Sequence, residues 1–180
     1  MPSVLLPLAN GSEDLEAITV LNILRRAGIE AVSASLDGQA IRGSRGTVIV
    51  PDTSLDEALK RDFDMVVLPG GQPGTKNLKA DARIIKLVQV MHAKDRYVCA
   101  ICAAPSILAT AGLLNGKRAT SFPTCLDDFP QVSLQPQAVV EDGKIITSRG
   151  PGTAMDFALT LVERLSGRSK RDEVEASLVR

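Results

Sequence analysis

Short apolar runs alternate along this chain with stretches in which apolar positions recur every three or four residues. The runs Val4 to Leu8, Ala31 to Leu36, Phe63 to Leu68 and Tyr97 to Ile101, with a late pair around Val139 and Ile145, read as strands. Met65-Val66-Val67-Leu68 and Val98 to Ile101 are apolar on both faces, which marks central strands of a parallel sheet covered by helices. Helix starts fall between them. Ser54-Leu55-Asp56-Glu57 forms a capping box, Asp81 opens the run through Ile84, Ile85, Leu87 and Val88, and Pro151 stands where a first helical residue would. Glu141-Asp142-Gly143-Lys144 predicts a tight hairpin turn, and residues 41–50 a glycine-kinked β excursion from the main sheet. The pattern predicts a mostly parallel α/β sandwich. No repeat or linker divides the 180 residues, so residues 1–180 are expected to form one domain.

In open parallel sheets, ligands bind outside the carboxyl ends of the strands. Three loops reach such an end: Gly11-Ser12, Gly70-Gly71, and the turn at Cys102. Cys102 lies where an apolar strand passes into a helix with only Ala100 and Ala104 two positions away, the local grammar of a nucleophile elbow. The following helix directs its positive end at the sulfur, which predicts a lowered thiol pKa. The alternative is a small cysteine buried in the core. The Gly70-Gly71 pair permits unusual dihedrals and close approach of amides to a ligand; with the amide of Ala103 it could form an oxyanion hole, or it could be only a turn.

The first helix is expected to begin near Ser12, with Glu13 and Asp14 in its first turn. Val20, Ile23, Leu24 and Ala27 form its buried stripe, and Glu16 projects into the middle of that stripe. Burial without a cationic partner would raise its pKa, leaving Glu16 protonated near neutrality and able to donate a hydrogen bond to a neighbouring thiolate or oxidised sulfur. Otherwise Glu16 simply reaches water at the helix start.

Composition narrows the chemistry. Lysine plus arginine and aspartate plus glutamate number 21 each, and aromatic residues are scarce, which argues against nucleic acid as a primary partner. Arg168-Ser169-Lys170-Arg171 is followed at once by acidic residues and reads as a solvated face. No leader-like segment or membrane-length apolar run appears, and three cysteines in a well-cored chain suit a reducing compartment, so a cytoplasmic protein is expected. No zinc spacing, phosphate-binding loop or dinucleotide fingerprint appears, and neither a metal nor a cofactor is expected.

The one histidine, His92, ends the helix that leads into the Cys102 strand. The strand separates the two by roughly 20 Å, so His92 is expected to be solvated and not a partner of Cys102. Cys99 and Cys102 resemble a redox pair, yet three extended residues span about 10 Å, beyond the roughly 7 Å that a disulfide tolerates; Cys99 is expected in the core. Cys125, in the loop 121–125, could approach the same sheet end as a resolving thiol.

Together these features resemble the DJ-one/ThiJ/PfpI superfamily from end to end. Its successive signatures are Gly11-Ser12-Glu13-Asp14-Leu15-Glu16-Ala17, Leu68-Pro69-Gly70-Gly71, Ala100-Ile101-Cys102-Ala103-Ala104-Pro105 and Thr147-Ser148-Arg149-Gly150-Pro151-Gly152-Thr153. Phe122-Pro123-Thr124 is similar to the bacterial YajL (ThiJ) type. The resemblance implies a flavodoxin-like sandwich and a homodimer, with Cys102 as an oxidisable nucleophile and Glu16 as its protonated partner. It further implies that Gly71 and Ala103 offer amides to the site and that Arg45 approaches it, from this subunit or its partner. Phe122 stands where better-known members carry a histidine, which weakens a peptidase or amidase reading and also a glyoxalase one. The activities implied are deglycase or glyoxalase-like action on methylglyoxal and glyoxal adducts of proteins or nucleotides, or on free 2-oxoaldehydes. The alternative is a redox-regulated chaperone or oxidative-stress sensor working through Cys102.

Overall fold

Alternate residues of the central strands point to opposite faces of one sheet, and both faces are dry. On one side Val4, Leu6 and Leu8 pack with Val67 and Ile101 against Val20, Ile23, Phe157 and Leu161; on the other Leu5, Val66, Leu68 and Val98 pack against Leu78, Ile84, Val88 and Ile107. Full burial of each such side chain contributes about 1.5–3 kcal/mol, which stabilises a three-layer sandwich. The computed structural model describes residues 1–180.

In chain order the elements are β1 (Ser3–Leu8), α1 (Asp14–Arg26), β2 (Glu30–Ser35), β3 (Ile41–Arg42), β4 (Val48–Ile49), β5 (Thr53–Ser54), α2 (Leu55–Ala58), β6 (Met65–Leu68), α3 (Gln72–Ala80), α4 (Ala82–Ala93), β7 (Tyr97–Ile101) and α5 (Pro105–Thr110). There follow β8 (Arg118–Ala119), β9 (Ser133–Leu134), β10 (Val139–Asp142), β11 (Ile145–Ser148), a 3₁₀ turn (Pro151–Thr153), α6 (Ala154–Ser166) and α7 (Arg168–Ser177). The seven-stranded sheet runs β10-β11-β7-β6-β1-β2-β5, parallel except for the β10–β11 hairpin. Its parallel core, β2-β1-β6-β7-β11, has the doubly wound order whose switch point lies at the carboxyl ends of β1 and β6. Gly11, Gly70 and Cys102 emerge there.

The excursion is the antiparallel β3–β4 hairpin, the late pair is β10–β11 with Gly143 at φ 61°, and Ser54 Oγ accepts the Glu57 amide at 3.2 Å. The first helix starts later than expected. Ser12 Oγ accepts the amide of Ala9 at 3.1 Å, closing the turn after β1, so it cannot cap α1, and Glu13 takes the N-cap position. His92 ends α4 at the amino end of β7, away from Cys102 as expected, but it is not freely solvated: its Nδ1 is buried without a partner. No helix is long and apolar enough to cross a membrane.

Candidate active site

Cys102 is the residue at which β7 ends and the chain turns toward α5. Its φ is +65°, a left-handed conformation that costs a non-glycine residue stability unless its surroundings hold it. Two hydrogen bonds do so: its N–H donates to Ser148 O at 2.9 Å, and its C=O accepts the Phe122 amide at 2.8 Å. Ala100 and Ala104 are both fully buried, and larger side chains at those positions would crowd the turn. Cys102 is 8% exposed, so its sulfur sits at the edge of the core.

Glu16 comes from the first turn of α1 and is 0% exposed, which excludes the water-reaching alternative. One carboxyl oxygen, Oε2, accepts the Gly70 amide at 2.7 Å; the other, Oε1, is buried with no hydrogen-bond partner. Burial raises its pKa to about 7 against the lowering effects of the Gly70 amide and the Cys102 thiol, with the negative charge of Glu13 adding to the rise.

The thiol behaves otherwise than the sequence predicts. Burial, and then the charge of Glu16, push Cys102 up to about 12, although amides of Gly71 and Ala103 directed at the sulfur act to lower it. The expected lowering counted the helix that follows but not the dry surroundings or a neighbouring carboxylate. Both effects disfavour a second negative charge in one small space. Burial and mutual proximity therefore push both groups toward their protonated forms, the thiol further than the carboxyl.

Gly70 and Gly71 make this proximity possible. A Cβ at Gly70 would stand 2.5 Å from Cys102 Cβ and 2.8 Å from Glu16 Oε2. Gly71 adopts φ +86°, and a Cβ there would strike the Gly11 carbonyl oxygen and lie 2.7 Å from the Glu13 amide nitrogen. The pair is more than a turn, because a side chain at Gly70 would displace the reacting groups and one at Gly71 the backbone that leads into α1.

Arg45 is not brought to the sulfur within one protomer. Its side chain is 81% exposed and its nearest acid is Glu13, 3.8 Å away. What anchors its loop is Asp14, a residue to which sequence reasoning gave no such task. Its carboxylate accepts the amides of Arg45 and Thr47 at 3.0 Å each. Burial opposes the charge on Asp14, yet these bonds outweigh it and hold the pKa at about 2. Ser44 Oγ donates to Glu13 Oε2 at 2.7 Å, tying the same hairpin to the residue three before Glu16.

Phe122 reaches the site through its backbone, while its half-exposed ring lies against Gly150 and offers no proton. Cys125 lies 3.7 Å from the Gln72 side-chain nitrogen, next in sequence to Gly71, and burial raises its thiol pKa. All three cysteines are free, and Cys99 is wholly within the core as expected. No group of histidine, cysteine and acidic residues could hold a metal ion.

The sequence matches the DJ-1/PfpI family over residues 2–164. It is 41% identical to the protein DJ-1 homolog B of Arabidopsis thaliana over 98% of this chain, although it spans only 41% of that longer relative. It is 32% identical to the glutathione-independent glyoxalase DJR-1.2 of Caenorhabditis elegans, covering 95% of this chain and 91% of the relative. The crystal structure of Drosophila melanogaster DJ-1beta superposes with a TM-score of 0.95 at 41% identity, covering 99% of this chain and 97% of the other. With ordered signatures, fold and extent all in agreement, the chain belongs to the DJ-1/PfpI family.

Proposed function

We propose that this protein is a cysteine-dependent enzyme of carbonyl and oxidative stress, acting on 2-oxoaldehydes or on their adducts with proteins or nucleotides. The observation that carries the reading is a thiol held at a strained turn beside a buried carboxyl whose pKa lies near 7. As Cys102 Sγ bonds to the aldehyde-derived carbon, its proton passes to the Glu16 carboxylate, so that thiolate never accumulates and the site carries one negative charge throughout. The carbonyl oxygen gains the electron pair and takes amide hydrogen bonds from Gly71 and Ala103, while Glu16 returns the proton in a later step. The name of the Caenorhabditis elegans relative supports this chemistry. Lactate release from methylglyoxal or a freshly glycated peptide tests it: the parent should turn over, and both Cys102→Ser and Glu16→Gln should fail. Equal rates in the three proteins would refute it.

A homodimer is part of this reading. Leu15, Ile18 and Val48 are exposed apolar side chains, and the first two line a groove of about 600 Å³ together with Glu13 and Arg45, where a second copy would close the site. A monomeric mass in solution would remove that part.

One observation favours a second reading, a redox sensor or redox-regulated chaperone. The unpartnered Glu16 Oε1 would donate a proton to an oxygen added to Cys102, stabilising the sulfinic acid. Limited peroxide should then place two oxygens on Cys102 ahead of Cys99 and Cys125 and change holdase activity toward an aggregating client. Oxidation spread evenly over the three thiols, or without effect on the client, contradicts it.

A further inference from the structure

Away from Cys102, a groove of about 370 Å³ runs between residues 59–63 and the outer face of α4. Phe63 and Met91 form its nearly buried floor, while Leu59 and Val90 remain 38% and 40% exposed. This is the volume and character of small-molecule sites, which are mostly apolar with a few convergent polar groups.

Its rim has a definite sign. Four cations, Arg61, Arg83, Lys86 and Lys94, line the groove against one carboxylate, Asp62. Asp62 is bonded to Lys94 at 2.8 Å, and Arg61 and Arg83 are bonded to Glu30, Asp56 and Asp81, none of which lines the groove. Lys86 alone forms no ion pair. Its three donors stand uncommitted beside Leu87 and Val90 on the same helix. The Arg61 guanidinium lies 4.8 Å over the Phe63 ring, so one wall is both flat and positively charged.

We infer that this groove binds a small amphipathic carboxylate, with its apolar body on Leu59, Phe63 and Val90 and its head group on Lys86. The unpaired cation beside exposed apolar surface selects that class: an uncharged hydrocarbon would leave Lys86 unused, and a compact inorganic anion would leave the apolar surface wet. The groove runs along α4 and shares no lining residue with the Cys102, Glu16 and Gly70-Gly71 site, so its ligand is distinct from the substrate proposed above.

Octanoate, titrated into the full chain while the methyl NMR signals of Leu87, Val90 and Met91 are followed, tests the inference. Saturable shifts confined to the groove are expected, weakened about tenfold or more by Lys86→Glu, nearly unchanged by Lys86→Arg, and about tenfold weaker for octan-1-ol. Lys86 is exposed, so these variants are expected to fold, and unchanged signals elsewhere verify it. The inference is overturned if no saturation appears by about 10 mM octanoate, if octan-1-ol binds as well, or if Lys86→Glu binds as tightly as the parent. It is likewise overturned if an acidic helical peptide or a second copy of the chain occupies the groove while octanoate does not.

Discussion

Glu16→Gln is expected to be more stable than the parent at pH 8 and equally stable at pH 4. In the folded protein Glu16 titrates near 7, against 4.5 ordinarily, because burial penalises its charge. The folded state thus holds this proton more tightly than the unfolded chain. The resulting stabilisation is fully present below pH 4.5 and is lost as pH rises through 7. At about 1.4 kcal/mol per pKa unit, the parent gives up about 3 kcal/mol across that window. Glutamine keeps an oxygen for the Gly70 amide and does not titrate, so the variant escapes this loss. In a domain of this size the difference corresponds to a melting temperature higher by roughly 6–12 °C at pH 8. Thermal unfolding of both proteins from pH 4 to 8 checks it: curves that diverge above pH 5 are expected, and parallel curves would show that Glu16 carries no buried proton.

Cys102→Ser should reduce lactate release to the uncatalysed background without unfolding the protein. The exchange of one barely exposed atom leaves the turn, the Ser148 and Phe122 hydrogen bonds and the flanking alanines in place, so stability should change by no more than about 1 kcal/mol. A hydroxyl is a far weaker nucleophile than a thiol at neutral pH, and the serine oxygen lacks the polarisable sulfur that bonds to the aldehyde-derived carbon. Glu16→Gln should also lose about 10²- to 10⁴-fold in kcat/KM, the usual worth of a positioned proton carrier. The two variants differ in one informative way. Removing the carboxylate removes a charge that holds the thiol up, so Cys102 in Glu16→Gln should react faster with iodoacetamide at pH 8 even as turnover falls. In the parent, kcat/KM should rise with pH through about 7 as the base ionises. Slower alkylation in Glu16→Gln, or turnover surviving in Cys102→Ser, would require a different chemistry.

Much of this site was visible before folding because its parts occupy positions with strong local signatures. Cys102 lies where a β-rich run meets a helix between small residues, Gly70-Gly71 follows a central strand, and Glu16 interrupts an apolar stripe whose burial the helical period dictates. The thiol's ionisation was not visible, since it depends on how dry the strand end becomes and on a charge 86 positions earlier in the chain. The start of α1 falls at Asp14, two residues past Ser12, because the tight turn after β1 takes the Ser12 hydroxyl. Helix α3 left no apolar stripe because Pro73 and Gly74 occupy its first turn, where Gly74 packs so closely on the Ser12 backbone that no side chain fits. Helix α7 is polar almost all round; ion pairs such as Arg168 with Asp172 and Arg171 with Glu175, together with buried Val174, account for it. Arg45 and Cys125 sit on loops whose placement only tertiary contacts decide.

The account rests on where two protons reside, and a carbon-13 NMR titration following the Glu16 carboxyl carbon and the Cys102 β-carbon from pH 4 to 10 reads both directly. The carboxyl should titrate near pH 7 while Cys102 keeps its proton through pH 8. A carboxyl midpoint near 4.5, or a thiolate already formed at neutral pH, would contradict it.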